Sequence, residues 1–417
     1  MSLSADEVRR FLAEPPLAGA AADLELSDAS LLGDLSRLRE SVGDMARPVV
    51  ELEKARRSVR GKLPAGWLLD SDSAQQATHA AVARRRARRI AASGLAAHDV
   101  TCSIGGEVAA LADAGVDVLG TDLDFARVLM ARHNVGVARS GSALSGSAAS
   151  GHATFAVADA LAPVSSGRAV IADPARRSGG RRIARPEDLI PPLPDLLDAW
   201  AGHELAVKCA PGLDYSDWDG EAAVTSVDGG VKEVCLYTPG LSGRGEAGGV
   251  VKRSAHLLRT RGEGTAAATA EGAAAMAESY DDTMPDDCAV ADAGRYIIDP
   301  DGAVVRAGLV RHYAAAHGLW QLDERIAHLT GDAIPAGASG FEVIDRVPLK
   351  RVRSALAGLD CGSAEILVRG VDANPDVLRK QWKLKGSVPL AVVVTRIGSA
   401  GVAFVCRPRQ WGYPSGA

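Results

Sequence analysis

The chain has 417 residues, carries a formal net charge of −5, and is 47% hydrophobic and 24% charged. At roughly 150 residues per domain this length predicts two or three folded units, and the composition excludes a disordered or fibrous chain. No uncharged run of about 18 apolar residues occurs and the N-terminal residues lack the apolar segment of a signal peptide, so we expect a cytoplasmic protein without a membrane anchor.

The first 95 residues predict an N-terminal helical unit. Apolar residues recur every three or four positions over Ala5–Leu12 and Ser30–Val42, which is the spacing of an amphipathic helix. Two basic segments follow, at Leu52–Trp67 and Ala81–Gly94. Because 38 of the 47 basic residues are Arg, composition alone can produce such clusters. Solvated helix faces and phosphate binding are therefore about equally compatible with them.

From Asp99 onwards, short apolar runs alternate with helical stretches. The runs are Val116–Gly120, Thr154–Val157, Ala169–Ala172, Leu205–Cys209 and Glu233–Tyr237. This alternation predicts a doubly wound, mainly parallel α/β sheet, which we place in residues 96–260. His133-Asn134 is expected to cap the helix that follows Asp122. Residues 261–338 are assigned to a low-complexity insertion followed by a hairpin or strand–turn–helix at Arg295–Leu309, although Val250–Leu258 could form a last strand of the sheet.

Residues 339–417 predict a small α+β domain with the order strand, helix, strand, helix, strand, strand. Between Phe341 and Ala417, twelve Lys/Arg stand against six Asp/Glu, a net +6 that leaves −11 for the preceding 340 residues. Lysines concentrated around an aromatic residue are typical of an RNA-binding surface. The candidate RNA-binding residues are Lys350, Arg351, Arg379, Lys380, Trp382, Lys383 and Lys385. The alternative is that Trp382 faces the core of the domain while the lysines are solvated.

A turn of small residues joins the first predicted strand to the next helix in DVTCSIGGEVAALADAG, Asp99–Gly115. Such a turn lets the backbone approach a ligand, and the helix N-terminus offers free N–H groups. Asp122 closes the next strand, at a spacing where an acid binds the hydroxyl groups of a ribose. Asp159 closes the third strand. The alternative is a turn that only packs the helix on the strand.

A second motif, AVIADPARRSGGRR, begins with an apolar strand that stops at Asp173. Pro174 fixes the backbone where the chain leaves the sheet. Arg176 and Arg177 add two cations that are able to bind a phosphate.

These motifs resemble those of class I S-adenosylmethionine-dependent methyltransferases. Their first motif is acid-x-G-x-G-x-G, and here Thr101 and Ser103 occupy the first two glycine positions and Gly105 the third. DPARR is similar to the Asp/Asn-Pro-Pro signature of methyltransferases that act on bases, with Ala175 in place of the second proline. Together with KLPAGW, QQAT, KCAPGLD and IIDPDGAVVRAGL, they resemble the bacterial methyltransferases that end in a THUMP-like domain, over nearly the full chain.

The resemblance implies a Rossmann-like fold, S-adenosylmethionine as the methyl donor, and a base in structured RNA as the acceptor. Asp122 would hold the ribose and Asp159 the adenine of the donor. The expected cofactor-binding residues are Asp99, Thr101, Ser103, Gly105, Gly106, Asp122 and Asp159. The expected catalytic residues are Asp173, Pro174 and Arg176. Two alternatives stay open: methyl transfer to a small molecule or a protein, and an RNA-binding protein whose core has lost catalysis.

The cysteines and histidines predict neither a disulfide framework nor a metal site. The six cysteines are widely spaced without a Cys-x-x-Cys pair, and the nine histidines show no ligand spacing. Cys209 lies near the second motif but lacks the Pro-Cys or Thr-Cys context of the nucleophile of cytosine C5 methyltransferases. A core position is therefore favoured for this thiol.

Overall fold

The computed structural model describes residues 2–60, 62–143, 151–175, 177–178, 181–182, 185–259 and 276–412. The chain forms two compact units. The first comprises Met1–Val227, Lys232–Gly243 and Leu258–Ala277, and the second comprises Asp228–Val231, Arg244–Leu257 and Glu278–Ala417. The four-part domain division proposed from the sequence stays a prediction.

The N-terminal part of the first unit is helical, in agreement with the apolar periodicity of the sequence. The helices are α1 (Ala5–Ala13), α2 (Leu31–Val42), α3 (Ala46–Ser58), α4 (Ser71–Gln76) and α5 (Ala80–Ser93), with short 3₁₀ turns at Pro15–Gly19 and Gly43–Met45. A capping box starts α1, because the Ser4 hydroxyl accepts from the Glu7 amide and the Glu7 carboxylate accepts from the Ser4 amide. Helix α5 ends at Gly94, which takes the left-handed conformation that favours glycine.

The rest of the first unit alternates strands and helices. In chain order these are β1 (Ala96–Asp99), α6 (Gly106–Asp113), β2 (Val118–Asp122), α7 (Phe125–Ala143), β3 (Ala153–Val157), β4 (Arg168–Ala172), β5 (Arg177–Ser178), β6 (Arg181–Arg182), α8 (Leu193–Ala199), β7 (Leu205–Cys209), β8 (Glu221–Val227) and β9 (Gly230–Tyr237). These elements supply seven of the nine strands of a sheet, in the order β3-β2-β1-β4-β7-β9-β8. Strands β3, β2, β1, β4 and β7 run parallel, and β9 runs antiparallel to β7. The predicted doubly wound, mainly parallel sheet is confirmed.

The N-terminal helices share a hydrophobic core with the sheet. The buried side chains of Phe11, Leu52 and Trp67 belong to the same cluster as Ile104 and Met130. Because this cluster continues from helices α1–α3 to the first turn of the sheet and to α7, the two parts pack as one body within the first unit.

Asn134 links the same two parts by hydrogen bonds. Its side-chain oxygen accepts from the Leu68 amide at 2.7 Å, and its side-chain NH₂ donates to the carbonyl oxygens of Leu68 at 2.8 Å and Ile104 at 3.0 Å. The expectation that His133-Asn134 caps the helix is wrong, because α7 continues to Ala143. Because a fully buried side-chain amide needs hydrogen-bond partners for its oxygen and its NH₂ group, Asn134 binds backbone groups of neighbouring segments instead of capping α7.

The remaining elements lie mostly in the second unit. They are β10 (Arg253–Arg259), β11 (Met276–Asp281), β12 (Tyr296–Asp299), α9 (Gly302–Arg306), α10 (Val310–His317), β13 (Trp320–Gln321), β14 (Leu329–Gly331), β15 (Ser339–Pro348), α11 (Val352–Gly358), β16 (Cys361–Val368), α12 (Pro375–Trp382), β17 (Val388–Ile397), β18 (Ala400–Cys406) and β19 (Gln410–Trp411). Strands form the order β13-β14-β12-β15-β18-β17-β16, and β19 pairs with β15. The predicted C-terminal α+β order is confirmed, and Arg295–Leu309 is a strand–turn–helix rather than a hairpin.

Helices α11 and α12 cover one face of this second sheet. Their buried residues Val352, Leu356 and Trp382 form a cluster with Val392 and Val405 of the sheet. Strand β16 lies parallel to β17, because α12 crosses over between them.

Two features are absent from the described residues. In that part of the chain, no helix is both long enough and apolar enough to cross a bilayer. Nor do any three His, Cys, Asp or Glu residues of the described ranges converge in a way that could hold a metal ion.

Candidate functional site

Four predicted site acids follow neighbouring parallel strands. Asp99 and Asp122 end β1 and β2, Asp173 comes directly after β4, and Asp159 comes two residues after β3. Parallel strands present their carboxyl ends at one edge of the sheet, and the chain reverses its strand order between β1 and β4. Such a switch point is where open α/β sheets bind ligands. The structure therefore brings the predicted cofactor and acceptor residues to a single edge.

The turn after β1 takes the conformation of a glycine-rich loop. Ser103 has φ +46° and Gly105 has φ +85°, both in the left-handed region. A Cβ on Gly105 would lie 3.1 Å from the backbone of Ala131, so this position needs glycine for both reasons. Gly105 is also the N-cap of α6, where no side chain caps the helix. The first amides of α6, beginning at Gly106, thus form a place for a polar ligand group.

Thr101 has a specific role at its glycine position. Its hydroxyl oxygen accepts a hydrogen bond of 2.7 Å from the backbone amide of Asp173. The hydroxyl therefore ties the turn after β1 to the loop after β4, which a glycine could not do. Asp99 lies beneath this turn with 2% of its surface exposed, and its carboxylate accepts from the Thr101 amide at 3.2 Å. We assign Asp99 to holding the turn rather than to touching a ligand.

Asp122 is held by two backbone amides at the edge of the sheet. Its Oδ2 accepts from the Ser103 amide at 3.0 Å and its Oδ1 accepts from the Asp124 amide at 3.0 Å. Partial burial raises the pKa of Asp122 above its ordinary value. The two backbone hydrogen bonds fix the carboxylate between the turn and the start of α7, where each oxygen can accept further bonds.

Leu123 is a further candidate for the site, which the sequence analysis did not identify. It follows Asp122 directly and is 69% exposed, although it is a large aliphatic side chain. On the neighbouring strand, Asp159 is also exposed and its Oδ1 accepts from the Leu161 amide at 2.9 Å. An exposed apolar side chain thus follows directly on an acid at this edge of the sheet. The available signal was an apolar residue immediately after the acid that ends β2.

Asp173 is held by a buried lysine. Its Oδ2 lies 2.5 Å from the Nζ of Lys208, the fourth residue of β7. Lys208 is 2% exposed and also donates to the hydroxyl of Thr78, in the connection between α4 and α5. Neither Lys208 nor Thr78 was predicted to be functional, although both belong to segments that carry the family resemblance, KCAPGLD and QQAT.

The ion pair continues into a buried network of charges. Arg86 donates to Glu107 at 3.1 and 3.2 Å and to Glu233 at 2.7 Å, and Lys208 lies 3.6 Å from Glu107. All four side chains are at most 6% exposed. Two cations thus stand against two carboxylates beneath the site, with Asp173 at its exposed end.

Burial and charge together set the protonation of this network. Burial acts to lower the pKa of Lys208, but the carboxylates of Asp173 and Glu107 outweigh it and raise the pKa, so Lys208 is charged. Arg86 and Lys208 lower the pKa of Glu107 despite its burial. Burial, with the nearby Glu107 carboxylate, raises the pKa of Asp99 to about 8, so Asp99 is largely protonated at neutral pH.

The backbone after Asp173 is braced on its far side. Pro174 is buried, and the Ala175 amide donates to the Ile190 carbonyl at 2.8 Å. The Ile190 side chain is 56% exposed beside this loop. Arg176 lies outside the described residues.

The N-terminal basic segments are largely structural. Arg56 donates to the carbonyl oxygens of Trp67 at 2.9 Å and Ala18 at 2.5 Å, and Arg57 donates to that of Leu24 at 2.6 Å. These guanidinium groups bind backbone groups of their own unit. The sequence left open solvated helix faces and phosphate binding, and neither describes Arg56 and Arg57.

The C-terminal cations lie on the helical layer of the second unit. Lys350, Arg351, Lys380, Lys383 and Lys385 are exposed. Helices α11 and α12 pack on one hydrophobic cluster, and these cations lie on the two helices or in the turns beside them.

Two of the predicted RNA-binding residues differ from the others. Arg379 is exposed but pairs with Asp376 at 2.6 Å. The stacking role predicted for Trp382 does not fit, because its side chain is 6% exposed and packs in the core. At the last position of α12 its ring faces the sheet, which is the alternative that the sequence left open.

The thiols take no part in the site. All six cysteines are buried and without disulfide bonds, and Cys209 is fully buried. The core position favoured for Cys209 agrees with this burial.

Comparison with known proteins adds a family to this geometry. Residues 338–408 match the family model described as THUMP domain-like. Over 392 residues, the sequence is 45% identical to an uncharacterised S-adenosylmethionine-dependent methyltransferase of Mycobacterium tuberculosis, in strains CDC 1551 and H37Rv alike, which covers 89% of this chain and 100% of the relative. A crystal structure from Porphyromonas gingivalis W83, described as a methyltransferase, aligns with a TM-score of 0.68 over 98% of this chain and 99% of that chain, at 18% identity.

Proposed function

Since the chain belongs to the S-adenosylmethionine-dependent methyltransferases that carry a C-terminal THUMP-like domain, we propose that it methylates a base in structured RNA. S-adenosylmethionine is the methyl donor of this family. The proposal concerns the acceptor and the roles of individual residues. The observation that carries it is the group of exposed cations on the helical layer of the THUMP-like domain, in a chain whose remainder is acidic.

The sheet edge fits the donor. Asp122 is fixed by two backbone amides and would accept hydrogen bonds from the ribose hydroxyl groups. Leu123 would cover a face of the adenine, and Asp159 would accept from its amino group. The turn at Gly105 and Gly106 allows the close backbone approach that the methionine end requires. When bound, S-adenosylmethionine supplies an electrophilic methyl group on a sulfonium centre.

Asp173 and Pro174 would position the acceptor. An ionised carboxylate at the end of β4 accepts hydrogen bonds from an N–H group, which suits an exocyclic amine or a ring nitrogen of a base. Attack by a nitrogen lone pair needs no covalent enzyme intermediate. The contribution of the chain is therefore alignment of the nitrogen and exclusion of water.

The RNA itself would be held by the second unit. Five exposed cations lie on the layer formed by α11, α12 and the turns beside them. Lysine and arginine at such a surface bind phosphates without regard to base sequence. The THUMP-like match covers all of them.

Replacing Asp122 by alanine should weaken the binding of S-adenosylhomocysteine about 10- to 100-fold, because hydrogen bonds to a charged group contribute roughly 1.5–3 kcal/mol and each 1.4 kcal/mol is tenfold. Isothermal titration calorimetry of the purified protein measures this change. Asp198→Ala on α8 is the matched control, since Asp198 is an exposed acid away from the edge. Unchanged affinity in Asp122→Ala would remove Asp122 from the donor site.

The acceptor is tested with labelled donor and total bacterial RNA. The wild type should incorporate label into RNA, and nuclease digestion with mass spectrometry then identifies the modified nucleoside. Label that enters only protein or small molecules would contradict the proposal, and binding of RNA without any transfer would indicate a degenerate core.

Replacing Lys383 and Lys385 together by alanine should flatten the salt dependence of RNA binding. Each lost phosphate contact reduces the slope of log K against log[salt] by about 0.7–1, so the double variant should lose about 1.5–2. Unfractionated bacterial tRNA titrated at four salt concentrations gives the slope. Arg306→Ala with Arg325→Ala is the control pair, because both are exposed cations of the same unit outside the THUMP-like residues. Equal slopes in the wild type and the lysine variant would take this surface out of the interface.

A further inference from the structure

A lysine beside the site, Lys208, is almost fully buried. Removing an ammonium group from water is expensive, and buried lysines are therefore paired or absent. Lys208 is 2% exposed on the central strand β7. Its position next to β4 brings its side chain to the residue that follows that strand, Asp173.

The contacts of Lys208 show which partner it serves. Glu107 already receives two hydrogen bonds from Arg86, and Lys208 lies 3.6 Å from it. The Oδ2 of Asp173 lies 2.5 Å from the Nζ and accepts a hydrogen bond from it, so Asp173 is the nearer of the two carboxylates. Asp173 is therefore the main partner of Lys208. It is also the one member of the network with a partly exposed side chain.

Thr78 fixes the lysine in turn. Its hydroxyl accepts from the Nζ of Lys208, and Thr78 lies in the connection from α4 to α5, in the N-terminal helical region. A second partner removes rotational freedom from the ammonium group. The same region is bound to the sheet by Asn134, so Thr78 is itself in a defined place.

We propose that Lys208 is a positioning residue for methyl transfer, which orients the Asp173 carboxylate toward the acceptor and is itself oriented by Thr78. This inference rests on the proposed role of Asp173 in binding the acceptor. One carboxylate oxygen is bound by Lys208 and the Asp173 amide is bound by Thr101, so both the side chain and the backbone of Asp173 are held. The N-terminal helices thereby contribute a residue to the arrangement of the site.

The charges around the pair define its response to pH. The charged and titratable groups that face Asp173 and Lys208 are Glu107 from α6, Asp99 from β1, Arg86 from α5, Glu233 from β9 and Lys62 from the connection between α3 and α4. Without Lys208, the Asp173 carboxylate would face Glu107 without the ammonium group that now contacts it. A carboxylate that loses its cation takes up a proton at higher pH, so the acidic limb of the rate profile should move to higher pH.

The test compares the wild type with Lys208→Met, Asp173→Ala, the double variant and Thr78→Val. Lys232→Met is the control, because Lys232 is an exposed lysine on β9. The measurements are kcat and KM for labelled S-adenosylmethionine with total bacterial RNA, the kcat–pH profile, and the affinity for S-adenosylhomocysteine.

We expect Lys208→Met to lower kcat about 100-fold, the effect of a misplaced reacting group. KM and the S-adenosylhomocysteine affinity should stay within about threefold. Thr78→Val keeps every charge and should lower kcat about 2- to 10-fold, as loss of a single hydrogen bond does. The double variant should be no slower than Asp173→Ala, because residues that act as a unit are not additive. An unchanged kcat per binding site in Lys208→Met, or additive losses in the double variant, would overturn the inference.

Two further readouts separate this inference from the proposed function. If Lys208→Met does not fold, Thr78→Val and the charge-balanced double variant carry the test. If the wild type does not methylate RNA, the proposed acceptor is wrong. The positioning role of Lys208 is then tested by crystal structures of the wild type and Lys208→Met with S-adenosylhomocysteine. The Asp173 carboxylate should be displaced by about 1 Å or more in Lys208→Met. An unmoved carboxylate would show that Lys208 has no positioning role.

Discussion

Asp173→Ala is expected to lower kcat for methyl transfer about 1000-fold, within the range found for groups that act on the reacting nitrogen. The alanine removes the carboxylate at the end of β4 and leaves the turn after β1 in place, because the Asp173 amide can still donate to Thr101. The donor should therefore bind as before. Transfer of labelled methyl groups to total bacterial RNA measures the rate, and calorimetry with S-adenosylhomocysteine measures the binding.

Asp198→Ala serves as the control for this loss of activity, since it deletes an exposed acid of the same unit. The affinity of Asp173→Ala for S-adenosylhomocysteine should stay within about threefold of the wild type. A variant that keeps more than about a tenth of the wild-type kcat would exclude Asp173 from acceptor positioning. Loss of donor binding together with activity would instead place Asp173 in the donor site.

Arg86→Met is expected to lower the free energy of unfolding by about 3–5 kcal/mol, the range for removing one partner of a buried ion pair. Arg86 is 2% exposed and donates to both Glu107 and Glu233. Without it, two buried carboxylates share one nearby cation, Lys208. Urea unfolding followed by circular dichroism measures the change in the first unit.

The neighbouring Arg88 provides the control for this loss of stability. It lies on the same helix, α5, but is exposed, so Arg88→Met should change the free energy of unfolding by about 0.5 kcal/mol or less. Similar destabilisation in the two variants would show that the buried network contributes no more than helix propensity does.

The sheet could be predicted from the sequence because its strands are short and apolar and alternate with helices. Strand β8 was missed, since its Glu, Thr and Ser residues break the apolar run although all seven of its residues are buried. Glu221 lies in the sheet because its carboxylate pairs with Arg89, 132 residues earlier in the chain. Such pairing across the chain leaves no local pattern.

The place of Asp122 and Asp159 at the sheet edge could be predicted because each stands at or just after the end of an apolar strand. The pair of Asp173 and Lys208 could not be predicted, since it spans 35 residues and requires β4 and β7 to be neighbours. The arginine clusters were ambiguous for a related reason. Arg56 binds backbone carbonyl oxygens, and nothing in the sequence distinguishes it from an arginine that binds a phosphate.

Trp382 shows how an aromatic residue among cations can mislead. Helix α12 is amphipathic, with Trp382 and Leu378 against the sheet and the cations on the other side. Three-residue and four-residue spacing of the apolar side chains carried this information. The cations around Trp382 favoured the other interpretation, an RNA-binding surface.

The bridge made by Asn134 sets an order of events during synthesis. The backbone of Leu68 leaves the ribosome 66 residues before the side chain that binds it. Translation proceeds at about 5–20 residues per second, so roughly 3–13 s pass between the synthesis of Leu68 and that of Asn134 and its apolar neighbours on α7. Until then the inner faces of the N-terminal helices lack the apolar partners on α7, so a nascent chain paused before α7 exposes apolar surface of the kind that chaperones bind.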